Sequence, residues 1–176
     1  MLFGNNMFNQ VASKYLGQNK QTELDKLLKF IKKYEIAITN RTKIQDIGKE
    51  KTYNEVLNET IEFIEYTNNI CSWTEQLMLI VQTKKELLNK KYELENFKIV
   101  KQVELLEEIM ECTNKTEKAE LKKKKIKEAL IDLEHDLEEV KMHLDFCKIF
   151  KNDAERTREL VFSYHQGVKK VGGIEC

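Results

Sequence analysis

The sequence contains no proline, and none of its six glycines falls between Lys49 and Gln166. The two residues that most strongly interrupt helices are therefore missing from that whole stretch. A compact enzyme converges polar groups on a pocket through turns and irregular loops, and this chain has few places for them. Net charge is also missing: 30 Lys plus Arg balance 30 Asp plus Glu. A dedicated nucleic-acid binder is usually strongly basic, so that class is disfavoured and no nucleic-acid partner is expected. Long apolar runs are lacking too. The most apolar uncharged stretch, around Gln76 to Thr83, is far shorter than the roughly 20 residues a membrane span needs. The first charged residue is Lys14, and no small-residue cleavage site follows an apolar core, so no secretory leader is expected. The four cysteines, Cys71, Cys112, Cys147 and Cys176, never form C-x-x-C. This spacing suits inert thiols better than a zinc site or a disulfide scaffold. The N-x-T sequons at Asn40, Asn58 and Asn114 are accordingly expected to stay unglycosylated.

Hydrophobic periodicity divides the rest. Charged residues are 34% of the chain and hydrophobic ones 41%, the balance of long helices or coiled coils. In residues 1–17 Phe3, Met7, Phe8, Val11 and Tyr15 fall on one helical stripe among uncharged polar residues. A second helix is expected from a Thr22 cap, with an apolar face of Leu24, Leu27, Leu28, Ile31, Tyr34 and Ile38, ending near Ile47 and Gly48. Thr52 and Glu55 form a T-x-x-E capping box. The third helix they open should carry Val56, Ile61, Ile64, Ile70, Leu77, Val81, Leu88, Leu94, Val103, Leu106 and Met110 inward. About 60 residues at 1.5 Å rise make a rod of roughly 90 Å. A turn is expected at Cys112 to Lys115, with Asn114 capping the next helix. That last helix carries a heptad row of Leu133, Val140, Cys147, Ala154, Val161 and Val168, with Ile126, Leu130, Leu137 and Leu144 beside it. Such alternation reads as a coiled-coil seam. Three long helices around one seam leave apolar surface that a second chain would cover, so a dimer is expected.

The clearest charge feature is Lys122, Lys123, Lys124 and Lys125, with Lys115, Lys118 and Lys127 nearby. Across the turn stand Lys84, Lys85, Lys90, Lys91, Lys98 and Lys101, which an antiparallel hairpin should set alongside. One reading is a solvated helix face. The other is an anionic membrane surface, to which each basic residue contributes about 1 kcal/mol. The first segment likewise suits either an extra packed helix or shallow insertion at a lipid interface through Leu2, Phe3, Met7, Phe8, Val11 and Tyr15. His135, Glu139 and His143 recur at four-residue spacing. A di-iron bundle needs Glu-x-x-His on two helices, which Asp132 and His135 only approximate. No nucleophile motif or phosphate loop is present. No catalytic residue, metal or cofactor is assigned, and the chain is not read as an enzyme.

Met7-Phe8-Asn9-Gln10-Val11-Ala12-Ser13-Lys14 resembles the amphipathic helix that sorting nexins of the retromer-associated type place before their BAR domain. Leu27-Leu28-Lys29 through Asn40-Arg41-Thr42-Lys43 is similar to the first BAR helix. Lys84-Lys85-Glu86 and Lys90-Lys91 are similar to the basic run approaching the tip, and Phe150-Lys151-Asn152-Asp153-Ala154-Glu155-Arg156 to a segment of the final helix. The resemblance implies an all-α, long antiparallel three-helix coiled coil of BAR type over residues 18–176, behind an N-terminal amphipathic helix over 1–17. The form would be divergent and shortened, without the phosphoinositide-binding PX domain of such nexins. It further implies an elongated dimer with itself or a second BAR-type sorting nexin, held to anionic endosomal membrane from the cytoplasmic side and linked to the retromer cargo-binding complex. The alternative is a coiled-coil structural or tethering subunit without lipid binding.

Overall fold

A computed structural model describes residues 6–16 and 21–173 of the chain. Helix α1 spans Asn6–Leu16, α2 Gln21–Thr39, α3 Tyr53–Glu104, α4 Glu107–Met110 and α5 Lys115–Val171. A single 3₁₀ turn, Ile44–Asp46, lies between α2 and α3. No strand occurs among the described residues, and none of their helices is long and apolar enough to cross a membrane. The fold is all-α. The chain divides into two compact units: residues 1–79 with 145–176, and residues 80–144.

In the first unit α1 packs against α2, burying Val11, Ala12 and Leu16 on one side of the short helix. Helix α2 begins at Gln21, ahead of the Thr22 cap expected, and ends at Thr39 instead of near Ile47. The early stop has a local cause. The Thr39 hydroxyl donates to the Glu35 carbonyl at 2.7 Å, competing with the backbone ladder, and Asn40 makes the last i→i−4 bond, to Ile36. The chain then extends over residues 41–43 and turns at Gly48, whose φ of +89° places it in the left-handed region. Gly48 thus closes a tight turn between Ile47 and Lys51, not the end of α2.

The capping box forms as its sequence specifies. The Thr52 N–H donates to Glu55 Oε2 at 2.8 Å, and the Glu55 N–H donates back to Thr52 Oγ1 at 3.4 Å. The Thr52 hydroxyl also donates to Glu55 Oε2 at 2.7 Å, and this bond first, with the Thr52 N–H bond second, holds the Glu55 carboxyl below the usual carboxylate range.

Helix α3 then buries Val56, Thr60, Phe63, Thr67, Ile70, Thr74 and Leu77, alternating four- and three-residue steps. Three of these seven positions are threonines seven residues apart. Each satisfies its hydroxyl within the helix: Thr60 on Leu57 O, Thr67 on Phe63 O and Thr74 on Ile70 O, at 2.7 to 3.1 Å. The threonine methyl groups can therefore face the core at no hydrogen-bonding cost. Of the stripe expected from sequence, Ile61, Leu94, Leu106 and Met110 are exposed: Thr60 takes the inward position next to Ile61, and Leu106 and Met110 lie beyond the end of α3.

Helix α5 runs antiparallel to α3 within this unit, as successive contacts show: Lys151 with Glu75 at 3.2 Å, Tyr164 stacked on Phe63 at 6.5 Å, and His165 with Thr60 at 2.6 Å. Its expected row of Cys147, Ala154, Val161 and Val168 is buried, joined by Phe150, Thr157 and His165. Near its end the Ile44 side chain lies 2.6 Å from where a Cβ on Gly167 would stand, and the Tyr53 ring 2.1 Å from one on Gly172. A larger residue at either position would force the facing side chain to move.

Two buried polar groups carry opposite expectations. Thr157 is 1% exposed and its hydroxyl has no hydrogen-bond partner among the described residues. Thr157→Val will raise stability by about 1 kcal/mol in urea titration, because it removes an unsatisfied buried hydroxyl. Thr74→Val, which loses a bond already made, will be near neutral. The His165 imidazole is held below its ordinary pKa first by burial and second by the Lys169 charge. The unfolded chain therefore takes up a proton at a pH where the folded one does not. This contribution is complete above about pH 6.5 and is lost as pH falls through the lower folded value. The urea midpoint will decline below about pH 6.5 in the wild type and less steeply in His165→Gln. Equal slopes would remove His165 as the cause.

In the second unit the two antiparallel segments bury Val81, Leu88 and Val103 of α3 against Leu130, Leu137, Val140 and Leu144 of α5, and Tyr92 donates to Glu134 at 3.1 Å. Helix α3 stops at Glu104, short of the Met110 expected. Leu105 and Leu106 bond back three residues, to Gln102 and Val103, and Leu106 turns extended at ψ 134°. On an unbroken helix Ile109 would sit about 120° round from Val103. The break swings it inward, where it is fully buried. Asn114 Oδ1 accepts from the Thr116 N–H at 3.0 Å and caps α5 as expected. Two helices offer only one shared seam, and Leu87, Leu94 and Phe97 on α3 remain 59 to 63% exposed.

Candidate functional site

The start of α5 carries the densest charge in the chain. Six lysines lie between Lys118 and Lys127, against one acid, Glu120. Four consecutive lysines distribute around a helix by 100° each, so their fates differ. Lys122 reaches Glu104 at 3.2 Å and Lys125 reaches Glu108 at 2.9 Å, tying α5 to the end of α3 and to α4. The Glu108 bond raises the Lys125 pKa. Lys124 lies 3.9 Å from Glu128 on its own helix. Lys115, Lys118, Lys123 and Lys127 have no carboxylate partner within 4 Å among the described residues. A groove of about 500 Å³ is lined by Lys122, Lys123 and Lys127 together with Ala119, Ile126, Leu130, Tyr92 and Glu134. Cations beside apolar side chains suit an amphiphile with an anionic head.

The α3 lysines do not gather beside this cluster as a set. Lys98 bonds Glu95 at 2.8 Å, and the Lys101 ammonium lies 4.2 Å from the centre of the Phe97 ring. Lys84, Lys85, Lys90 and Lys91 stand farther back. Because Tyr92 meets Glu134 and Glu104 meets Lys122, Lys91 lies about 20 Å along α3 from the end that faces the α5 lysines. Lys90 and Lys91 accompany the acidic stretch Asp132 to Glu139 of α5, and Lys84 and Lys85 lie beyond it, opposite Lys141 and Met142. Of the two lysine sets expected side by side, the register brings Lys98 and Lys101 alongside the α5 lysines and leaves Lys84, Lys85, Lys90 and Lys91 farther along α3.

Of the residues expected to insert into lipid, Leu2 and Phe3 lie outside the described residues, as do the side chains of Met7 and Phe8. Val11 is buried and Tyr15 half-buried. Val11 is therefore spent on packing α1 in this arrangement, and is not displayed for insertion.

The remaining chemistry-bearing residues are dispersed. His143 is buried with Nε2 at 3.9 Å from Glu139, while His135 is exposed. Among the described residues no three His, Cys, Asp or Glu side chains group to hold a metal ion. Cys71 and Cys147 are buried free thiols, and burial pushes Cys147 up to about 11, which suppresses its thiolate.

A second basic site, passed over in the sequence, lies in the first unit: a cleft of about 490 Å³ lined by Arg41, Lys43, Ile44, Gln45, Ser163 and Tyr164. The isolated cations of the Asn40-Arg41-Thr42-Lys43 connector gave no periodic signal, and their meeting with α5 depends on tertiary packing. No protein-family model, no curated protein and no solved structure matches this chain.

Proposed function

We propose that this protein is a membrane-associating scaffold of BAR type, akin to the retromer-associated sorting nexins, that holds anionic endosomal membrane as a dimer through the lysines at the start of α5. The observation that carries this reading is that Lys115, Lys118, Lys123 and Lys127 have no carboxylate partner within 4 Å among the described residues, with Lys123 and Lys127 lining a groove that also holds Ala119, Ile126 and Leu130. Unpaired lysines retain their full attraction for an anionic surface, at about 1 kcal/mol each. Two copies would multiply a weak contact. The stripe of Leu87, Leu94 and Phe97 supports a second chain, since two helices cannot cover it. The α1 helix would contribute insertion only through side chains ahead of Val11.

The same stripe favours a second reading, a coiled-coil structural or tethering subunit whose partner helix covers Leu87 and Leu94. Vesicle flotation separates the two. The proposed function predicts co-flotation with phosphatidylserine vesicles and none with neutral ones, alongside a dimer by solution scattering. A dimer that ignores both vesicle types leaves the structural reading standing and removes the membrane one.

A further inference from the structure

The cleft between the α2–α3 connector and α5 is independent of the lysine cluster, and its geometry points to a binding site for a phosphate group. Its lining holds two cations, Arg41 and Lys43, a hydroxyl on Ser163 and an amide on Gln45, and no carboxylate. Neither cation has an acidic partner within 4 Å among the described residues. Nearby acids are engaged elsewhere: Asp46 lies 3.7 Å from Lys49, and Glu59 lies 2.5 Å from Lys51.

The cleft is also held in shape. The Tyr164 hydroxyl donates to the Thr42 carbonyl, between the two cations, at 2.5 Å. The Tyr164 ring stacks on Phe63, and the Arg41 guanidinium sits 5.8 Å from the Tyr164 centroid. Ile44 seats against Gly167, which brings the connector close to α5. The guanidinium thus lies near the Tyr164 ring, and its donor fork has no carboxylate partner among the described residues. A planar fork, a neighbouring ammonium and a hydroxyl together match a tetrahedral dianion better than a single carboxylate. The cleft leaves room beside the phosphate for the organic group of an ester, whether a soluble molecule or a lipid headgroup.

Backbone amide shifts of residues 41–46 and 163–164, followed by NMR during titration with inorganic phosphate and with glycerol 3-phosphate, test the site. Localised shifts that chloride does not reproduce are expected, tighter for the ester. The Arg41→Gln/Lys43→Gln double variant should bind at least about tenfold more weakly. Arg41→Lys, which keeps charge but loses the fork, should fall between. Both connector cations are exposed, and an unchanged circular dichroism spectrum checks that the variants fold. A second arm uses phosphatidic acid vesicles with the α5 lysines Lys118, Lys123 and Lys127 already replaced. Residual sedimentation that depends on Arg41 assigns the lipid source, and soluble-ester binding without it assigns the free one. If neither arm depends on Arg41 and Lys43, the phosphate site is overturned, whatever the fate of the membrane reading.

Discussion

Replacing Lys118, Lys123 and Lys127 together by glutamate will release the protein from phosphatidylserine vesicles, with at least about a 100-fold loss of affinity. Neutralising three cations removes about 3 kcal/mol of surface attraction, and reversing their sign adds repulsion. These three are chosen because none has a carboxylate partner within 4 Å among the described residues. Lys122 and Lys125 are a different matter, since they bind Glu104 and Glu108 across the reversal. Replacing them would mix a change in folding with a change in binding. Wild-type retention should weaken as salt rises, because the Debye length is about 8 Å at physiological ionic strength. Flotation at wild-type strength by the triple variant would end the case for lysine-driven membrane association.

Leu77→Ala will lower stability by about 3 kcal/mol, or about 6 to 12 °C in melting temperature for a chain of this size. Leu77 is 1% exposed on the same face as Ile70 and Thr74, and a truncated side chain there leaves a cavity that rigid helices fill poorly. Leu79, two residues on, is 62% exposed, and Leu79→Ala should cost under about 0.5 kcal/mol. The same comparison probes the uncovered stripe. If a second chain seats on Leu87 and Leu94, their replacement by alanine will shift the dimer–monomer balance in light scattering. A melting temperature independent of protein concentration, with those variants unchanged, would leave the stripe without a partner.

Local patterns proved legible where a few neighbouring residues decide the outcome. The Thr52–Glu55 box and the Asn114 cap each rest on a side chain three or fewer residues from the amide it serves. The heptad row of α5 was legible through Val140, Cys147, Ala154, Val161 and Val168, because it is apolar throughout. The matching row of α3 was half hidden, since Thr60, Thr67 and Thr74 read as polar until their hydroxyls are placed on preceding carbonyls. The break at Leu105 and Leu106 has neither glycine nor proline to announce it. It follows from the gain of burying Ile109, a tertiary effect. Which lysines of the candidate site stay unpaired depended on the antiparallel register, which fixes Glu104 and Glu108 against Lys122 and Lys125. The Arg41 and Lys43 cleft was invisible for the same reason, because Ser163 and Tyr164 stand over a hundred residues away.

The threonines of α3 carry a topological liability. Thr60, Thr67 and Thr74 are identical rungs on a ladder, and a slide of one heptad, about 10 Å, would offer His165 another threonine in place of Thr60. The repeating portion cannot tell the two alignments apart. What distinguishes them is a lock at one extremity: Tyr164 on the Thr42 carbonyl, Ile44 over Gly167 and Tyr53 over Gly172. Each of these fits occurs once, so with the Lys151–Glu75 pair they hold a frame that the threonine ladder alone leaves open. Damage to that lock would loosen the frame at this end, where the Lys151–Glu75 pair would be left to resist a slide.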